Sequence, residues 1–180
     1  AELYDLKPDI VTYGKALGQG FPVAAIAGPD HIMESIEYGK VLHYGSHNAP
    51  RLGLYAAKTM LEEMSRDNFS NFKKIADIGD QMTSRLNQVA KDTGQNMVVQ
   101  NVGSMFHPVF TDLDAINGYR EFCGSADLGK YGEFSQLMRD QGIFFSGNKI
   151  LHNLSCTEHT QDDIDVSIEA AGNALEQMVK

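Results

Sequence analysis

Three glycines, Gly14, Gly18 and Gly20, separate two short apolar runs, Ile10 with Val11 and then residues 23–27. Short apolar runs bounded by glycine predict a strand, a glycine turn and a second strand over residues 9 to 28. Lys15 stands inside that turn, preceded by Ile10, Val11 and Tyr13 and followed by Ala16, Leu17, Phe21 and small residues as far as Gly28. An amine desolvated by such neighbours is penalised as ammonium, so its pKa is expected to fall toward neutrality, which suits a Schiff-base nucleophile. The glycines leave room for a ligand to lie against the backbone.

The remaining pattern alternates between helices and strands. Asp30 caps a short helix through Ile36, and residues 37–46 read as loop. Pro50 suits a first helical turn, with Leu54, Ala57, Leu61 and Met64 at helical spacing. Residues 68–70 open a second helix with Phe72, Ile75, Met82, Leu86 and Val89 on one face and Gly94 as its stop. Strands are expected at 97–100 and at 102–111, the second bent or at an edge because it contains Pro108. Residues 112–125 read as loop, 131–141 as helix, and 143–146 and 151–156 as strands. Thr160 with Asp163 makes a capping-box start for a last helix striped by Ile164, Ile168, Ala171, Leu175 and Met178. The fold class is α/β or α+β, and the separate apolar patterns place a boundary within residues 60 to 68.

Composition excludes several function classes. A formal charge of -9, with scattered lysines and arginines, leaves no stripe to neutralise phosphates, so nucleic acid is not an expected partner. No apolar run approaches a membrane span. Cys123 and Cys156 lie far apart without a Cys-x-x-Cys spacing, which fits a reducing, cytoplasmic setting and argues against a disulfide scaffold or a zinc site. His43 and His47 have i, i+4 spacing, but Gly45 and the expected loop argue against the helix that a metal pair would need. The start at Ala1, with no initiator methionine or signal layout, reads as a cut edge, and the chain is expected to be a piece of something longer.

The segment Asp9-Ile-Val-Thr-Tyr-Gly-Lys15 resembles the cofactor-lysine segment of the class III aminotransferases, enzymes of the fold-type-I scaffold that use pyridoxal phosphate. The run from Gly20 to Gly28 resembles the Gly-x-Pro-x-Gly-Ala stretch that follows it. Tyr44-Gly45-Ser46 is similar to the step whose hydroxyl and amide reach the cofactor phosphate of the neighbouring subunit. Gly103-Ser-Met-Phe106 with Phe110-Thr111, and His159-Thr-Gln-Asp-Asp-Ile164, resemble the small domain of the glutamate-1-semialdehyde 2,1-aminomutase branch. The agreement runs in order over nearly the whole chain. Three departures bear on the substrate: Gln19 replaces a small residue, the loop from Gly45 to Pro50 is one residue short, and residues 146–153 lack the acidic gate of an aminomutase.

The resemblance implies the end of the PLP-binding large domain over residues 1–62 and an α+β small domain over 63–180. It implies pyridoxal 5'-phosphate on Lys15, with Gly45 and Ser46 also at the cofactor, and an amino acid or semialdehyde as substrate. It further implies a homodimer with a shared active site, in which the aspartate for the pyridine nitrogen, the first phosphate loop and the ring-stacking aromatic come from protein preceding Ala1. The alternative is a catalytically incomplete relative that persists as a dimerisation or interaction module.

Overall fold

The computed structural model describes residues 1–37 and 39–179, and Tyr38, within the expected 37–46 loop, lies outside the described residues. The chain forms two compact units, Ala1–Phe69 and Ser70–Lys180. They part inside a long helix, α2 (Arg51–Asp92), whose residues 66–69 leave helical geometry. Asp67, Asn68 and Phe69 all have positive φ, at 47°, 54° and 60°. Aspartate and asparagine tolerate the left-handed region through local hydrogen bonding, whereas phenylalanine is strained there.

In the first unit, β1 (Val11–Tyr13) pairs antiparallel with β2 (Ala25–Ala27), matching Val11 with Ala27 and Tyr13 with Ala25. A 3₁₀ turn, Lys15–Gly18, and an irregular return connect them. A further 3₁₀ turn, Glu2–Tyr4, precedes β1 where the sequence predicts no element. α1 (Asp30–Glu37) follows, then the first part of α2. Gly53 and Ala57 are the buried positions of that part, whereas Leu54 and Leu61, expected on the covered face, are exposed.

The second unit packs the later part of α2, α4 (Leu128–Asp140) and α5 (Gln161–Gln177) with a three-stranded antiparallel sheet. Its strands are β3 (Met97–Val102), β4 (Met105–Phe110) and β5 (Asn153–Leu154), with β4 central. Val102 belongs to β3 rather than to the second strand, because it pairs with Met105 across the two-residue turn Gly103-Ser104. Leu86, Phe110, Phe134, Met138, Ala171 and Leu175 form the dry centre, and Phe134 meets both Phe110 and Phe145 edge to face.

Pro108 is tolerated in this central strand for a reason visible in the pairing. The backbone N–H and C=O of Val99, its partner, point to the Asn87 side chain, so Val99 and Pro108 exchange no ladder bonds. The donor that proline lacks would face the β5 side, and β5 pairs only with Met105 and Phe106. Asn87 donates from Nδ2 to Val99 O and accepts from Val99 N at Oδ1, both at 2.8 Å, closing the outer edge of β3 as another strand would. Asn87→Ala leaves both groups of a residue only 2% exposed without partners; a loss of about 2–3 kcal/mol in urea unfolding is expected.

Other elements also depart from the sequence reading. α3 (Tyr119–Ser125) lies in the expected 112–125 loop, where Glu121 accepts from the Asn117 backbone N–H. α4 starts at Leu128, three residues earlier than expected, because Asp127 accepts from Lys130 N and caps it. Residues 143–146 form no strand; the segment is tied at Ser146 by the Tyr131 hydroxyl and by Asn153 Oδ1 instead of by a ladder. The capping box at α5 forms as expected, and the backbone N–H and hydroxyl of Thr160 hold the Asp163 carboxyl below the usual carboxylate range. A depressed carboxyl contributes stability above its unfolded pKa and loses it as pH falls through the folded one. Among the described residues, no helix is long and apolar enough to cross a membrane.

Candidate active site

Lys15 opens the 3₁₀ turn directly after β1, with extended Gly14 before it. Its φ is 50°, a left-handed conformation uncommon for a side chain of this size. Such strain persists only where surrounding structure imposes it, and it concentrates at functional sites. The turn ends on Gln19, also left-handed at φ 46°, whose backbone N–H and side-chain Nε2 both donate to Ala16 O. The residue that departs from the small-residue pattern therefore caps the turn itself.

The turn is shaped by packing around Val23. Gly18 is buried, and a Cβ there would lie 2.7 Å from Val23 Cγ1, so a larger residue would force the turn open. Gly53 of α2 also comes near Val23, its would-be Cβ 3.1 Å from Val23 Cβ. Of the three turn glycines, Gly18 is the one that serves a close approach to Val23.

The expected desolvation of Lys15 is not supplied by these residues. The side chain is exposed, as are Gly14 and Ala16, and Leu17 is only half-buried. Of its apolar neighbours in sequence, Ile10, Tyr13 and Phe21 are themselves about half exposed. Among the described residues its ammonium has no hydrogen bond or ion pair.

Gly45 and Ser46 lie in an exposed loop closed by a bond from Asn48 N to Gly45 O at 3.0 Å. Neither the hydroxyl nor the backbone N–H of Ser46 has a partner among the described residues, which suits a phosphate oxygen. Val41, Leu42 and Tyr44, just before them, are all exposed, Tyr44 at 80%. Among the described residues, no hydrogen bond joins the Lys15 turn to this loop. His43 and His47 flank it without helical geometry.

The second unit has a cleft of about 690 Å³ lined by Phe106, Phe145, His152, Asn153, His159 and Ser167, among others. It includes none of Lys15, Gly45 and Ser46. Sequence reasoning missed the left-handed backbone at Lys15, which no local signal in the residue types announces.

The family model for class-III aminotransferases matches residues 1–174. A glutamate-1-semialdehyde 2,1-aminomutase of Sulfurihydrogenibium sp. (strain YO3AOP1) is 28% identical over 178 residues, covering 98% of this chain and 41% of its own length. Its counterpart in Akkermansia muciniphila gives the same figures. Among solved structures, an omega-transaminase from Sphaerobacter thermophilus superimposes with a TM-score of 0.84 at 21% identity, covering 99% of this chain and 41% of that one. A beta-phenylalanine aminotransferase from Variovorax paradoxus gives 0.78 at 20% identity, covering 96% and 39%. The chain thus has the fold of the corresponding part of these transaminases, and it spans about two fifths of the length of the relatives it matches.

Proposed function

Because the chain belongs to the class-III aminotransferases, we propose that it is the lysine-bearing portion of a pyridoxal-phosphate enzyme that moves an amino group on an amino acid or semialdehyde. The observation that carries this reading is Lys15 itself, a strained lysine at the head of a glycine turn with an unpaired ammonium. Solved relatives include a transaminase with PLP bound, at TM-score 0.82.

The residues present fit the cofactor. Lys15 would hold it through Nζ, and the free hydroxyl and amide of Ser46, beside Gly45, would hold a phosphate. The exposed apolar side chains of Val41, Leu42 and Tyr44 support a protein surface lying against that loop, in keeping with a homodimer in which Ser46 serves the neighbouring subunit's site. The chemistry that pyridoxal phosphate supplies when bound is an electron sink for charge left on the amine-bearing carbon. Lys15 Nζ would take the proton from that carbon and return it, acting as base and then acid. The exposure of Lys15 and the two-fifths span support a site completed, and closed to water, by protein outside these 180 residues. Cysteines that are both exposed and unpaired accord with a cytoplasmic setting.

Borohydride reduction of the full-length protein with pyridoxal phosphate, followed by peptide mapping, tests the reading. A pyridoxyl adduct is expected on the peptide containing Lys15; an adduct on another lysine, or none, overturns it. Ser46→Ala should weaken cofactor binding about tenfold by removing one hydrogen bond to a charged oxygen, leaving the adduct site unchanged. Titration of the apoprotein at the cofactor's visible band checks this, and unaltered affinity would remove Ser46 from the phosphate.

A further inference from the structure

Asn117 is the only asparagine of the chain that glycine follows, and both residues of the pair are exposed in the segment leading into α3. Neither backbone geometry nor packing requires a glycine at 118. Its φ of -178° is extended, which any residue adopts, and a Cβ built on it would meet nothing within 4 Å. The missing side chain leaves open the approach to the Gly118 backbone nitrogen, which donates no hydrogen bond among the described residues.

The side chain that can make this approach is the preceding amide, and it is loosely held. Asn117 Nδ2 donates to Glu121 Oε2 at 3.3 Å, a long bond to an oxygen that already accepts from the Asn117 backbone N–H at 2.7 Å. α3 has no buried residue and no side-chain cap at Gly118, and its Phe122 is only half-buried against His107. An element with so few core contacts opens locally at low cost. Asparagines elsewhere are tied more closely: Asn87 makes two bonds to Val99 at 2.8 Å, and Asn96 and Asn101 donate to Asp112 and Asp80 at 2.6 and 2.7 Å.

We propose that Asn117 and Gly118 form a spontaneous deamidation site, through which the protein gains a negative charge beside Glu121 as it ages. The Gly118 nitrogen attacks Asn117 Cγ. A C–N bond forms, the Cγ–Nδ2 bond breaks, and ammonia leaves carrying the proton that the Gly118 nitrogen gives up, which closes a succinimide ring. Water then opens the ring. Addition at Cγ leaves aspartate, and addition at the main-chain carbonyl leaves isoaspartate, whose chain runs through the β-carbon. No oxidant or reductant takes part, since water enters and ammonia departs.

The test is ageing of the full-length protein, loaded with pyridoxal phosphate, in neutral buffer at physiological temperature, with its asparagine peptides quantified over time by mass spectrometry. Asn117 is expected to convert about tenfold faster than Asn48 or Asn148, which are also exposed but precede Ala49 and Lys149. Its product should be a mixture of isoaspartate and aspartate. Gly118→Ala should slow Asn117 about tenfold and leave the melting temperature unchanged, because the added methyl meets nothing. An Asn117 rate no greater than those of Asn48 and Asn148 overturns the proposal, as does a product that is aspartate alone. An undiminished rate in a Gly118→Ala protein that melts normally overturns it too. Should that variant fail to fold, the rates and products in the unaltered protein decide alone.

Discussion

Lys15→Ala is expected to abolish the pyridoxyl adduct and to lower turnover by about 10²–10⁴-fold or more, the range associated with loss of a positioned proton-transfer group, here compounded by loss of the covalent anchor. The fold should survive, because the Lys15 side chain is exposed and makes no hydrogen bond or ion pair among the described residues. Alanine keeps a Cβ at a backbone with φ 50°, so the strain of the turn stays and only the amine is lost. Lys15→Arg separates the two roles of charge and nucleophile: it keeps the cation, yet it cannot deprotonate or anchor an aldehyde, and it should be as inactive as alanine. The measurement is turnover with and without added primary amine, beside thermal melting. Partial rescue by amine with an unchanged melting temperature is the expected result, and a Lys15→Ala protein with undiminished turnover would end the assignment of Lys15.

What could be read from the sequence was the part set by local rules. The strand, glycine turn and strand around Lys15 need only short apolar runs and glycines, and the turn ends where its glycines fall. The α5 capping box needs only Thr160 and Asp163, three positions apart, and both of its bonds form. Gly94, at φ 69°, ends α2 as a left-handed residue should. The features that escaped depend on partners distant in sequence. Residues 143–146 have strand composition, yet a strand is defined by a neighbour, and the neighbours of this segment are a tyrosine hydroxyl and an asparagine side chain. β5 shrinks to two residues for the same reason, since β4 offers it only Met105 and Phe106. At the candidate site, residue types revealed the lysine and the glycines, but neither its exposure nor its left-handed backbone follows from them. An apolar neighbourhood in sequence was not an apolar neighbourhood in space.

Gly79 and Gly172 make the same point in a form that can be measured, because the same substitution should have opposite effects at the two. Both are helical glycines, and in an open helix alanine is favoured over glycine by about 1 kcal/mol. At Gly172 of α5 an added Cβ would meet Val89 Cγ1 at 3.7 Å, an ordinary contact, so Gly172→Ala should stabilise by roughly 0.5–1 kcal/mol. At Gly79 of α2 it would lie 2.1 Å from the carbonyl oxygen of Gly103, which belongs to the turn joining β3 and β4. That turn cannot give way freely. Ser104 O accepts from Ser155 N at 3.0 Å, and the Ser155 hydroxyl donates to Ile75 O at 2.9 Å, so α2, the hairpin and the segment after β5 are fastened at one place. Helix and hairpin would have to separate by more than an ångström, stretching those bonds and opening the core beside Ile78 and Met82. Overpacking of this kind typically costs 1–3 kcal/mol, and here backbone meets backbone, so Gly79→Ala should lose about 3 kcal/mol or more. Urea unfolding of the two variants beside the parent protein gives the comparison. A Gly79→Ala protein as stable as the parent would mean that α2 does not approach the β3–β4 turn this closely in solution.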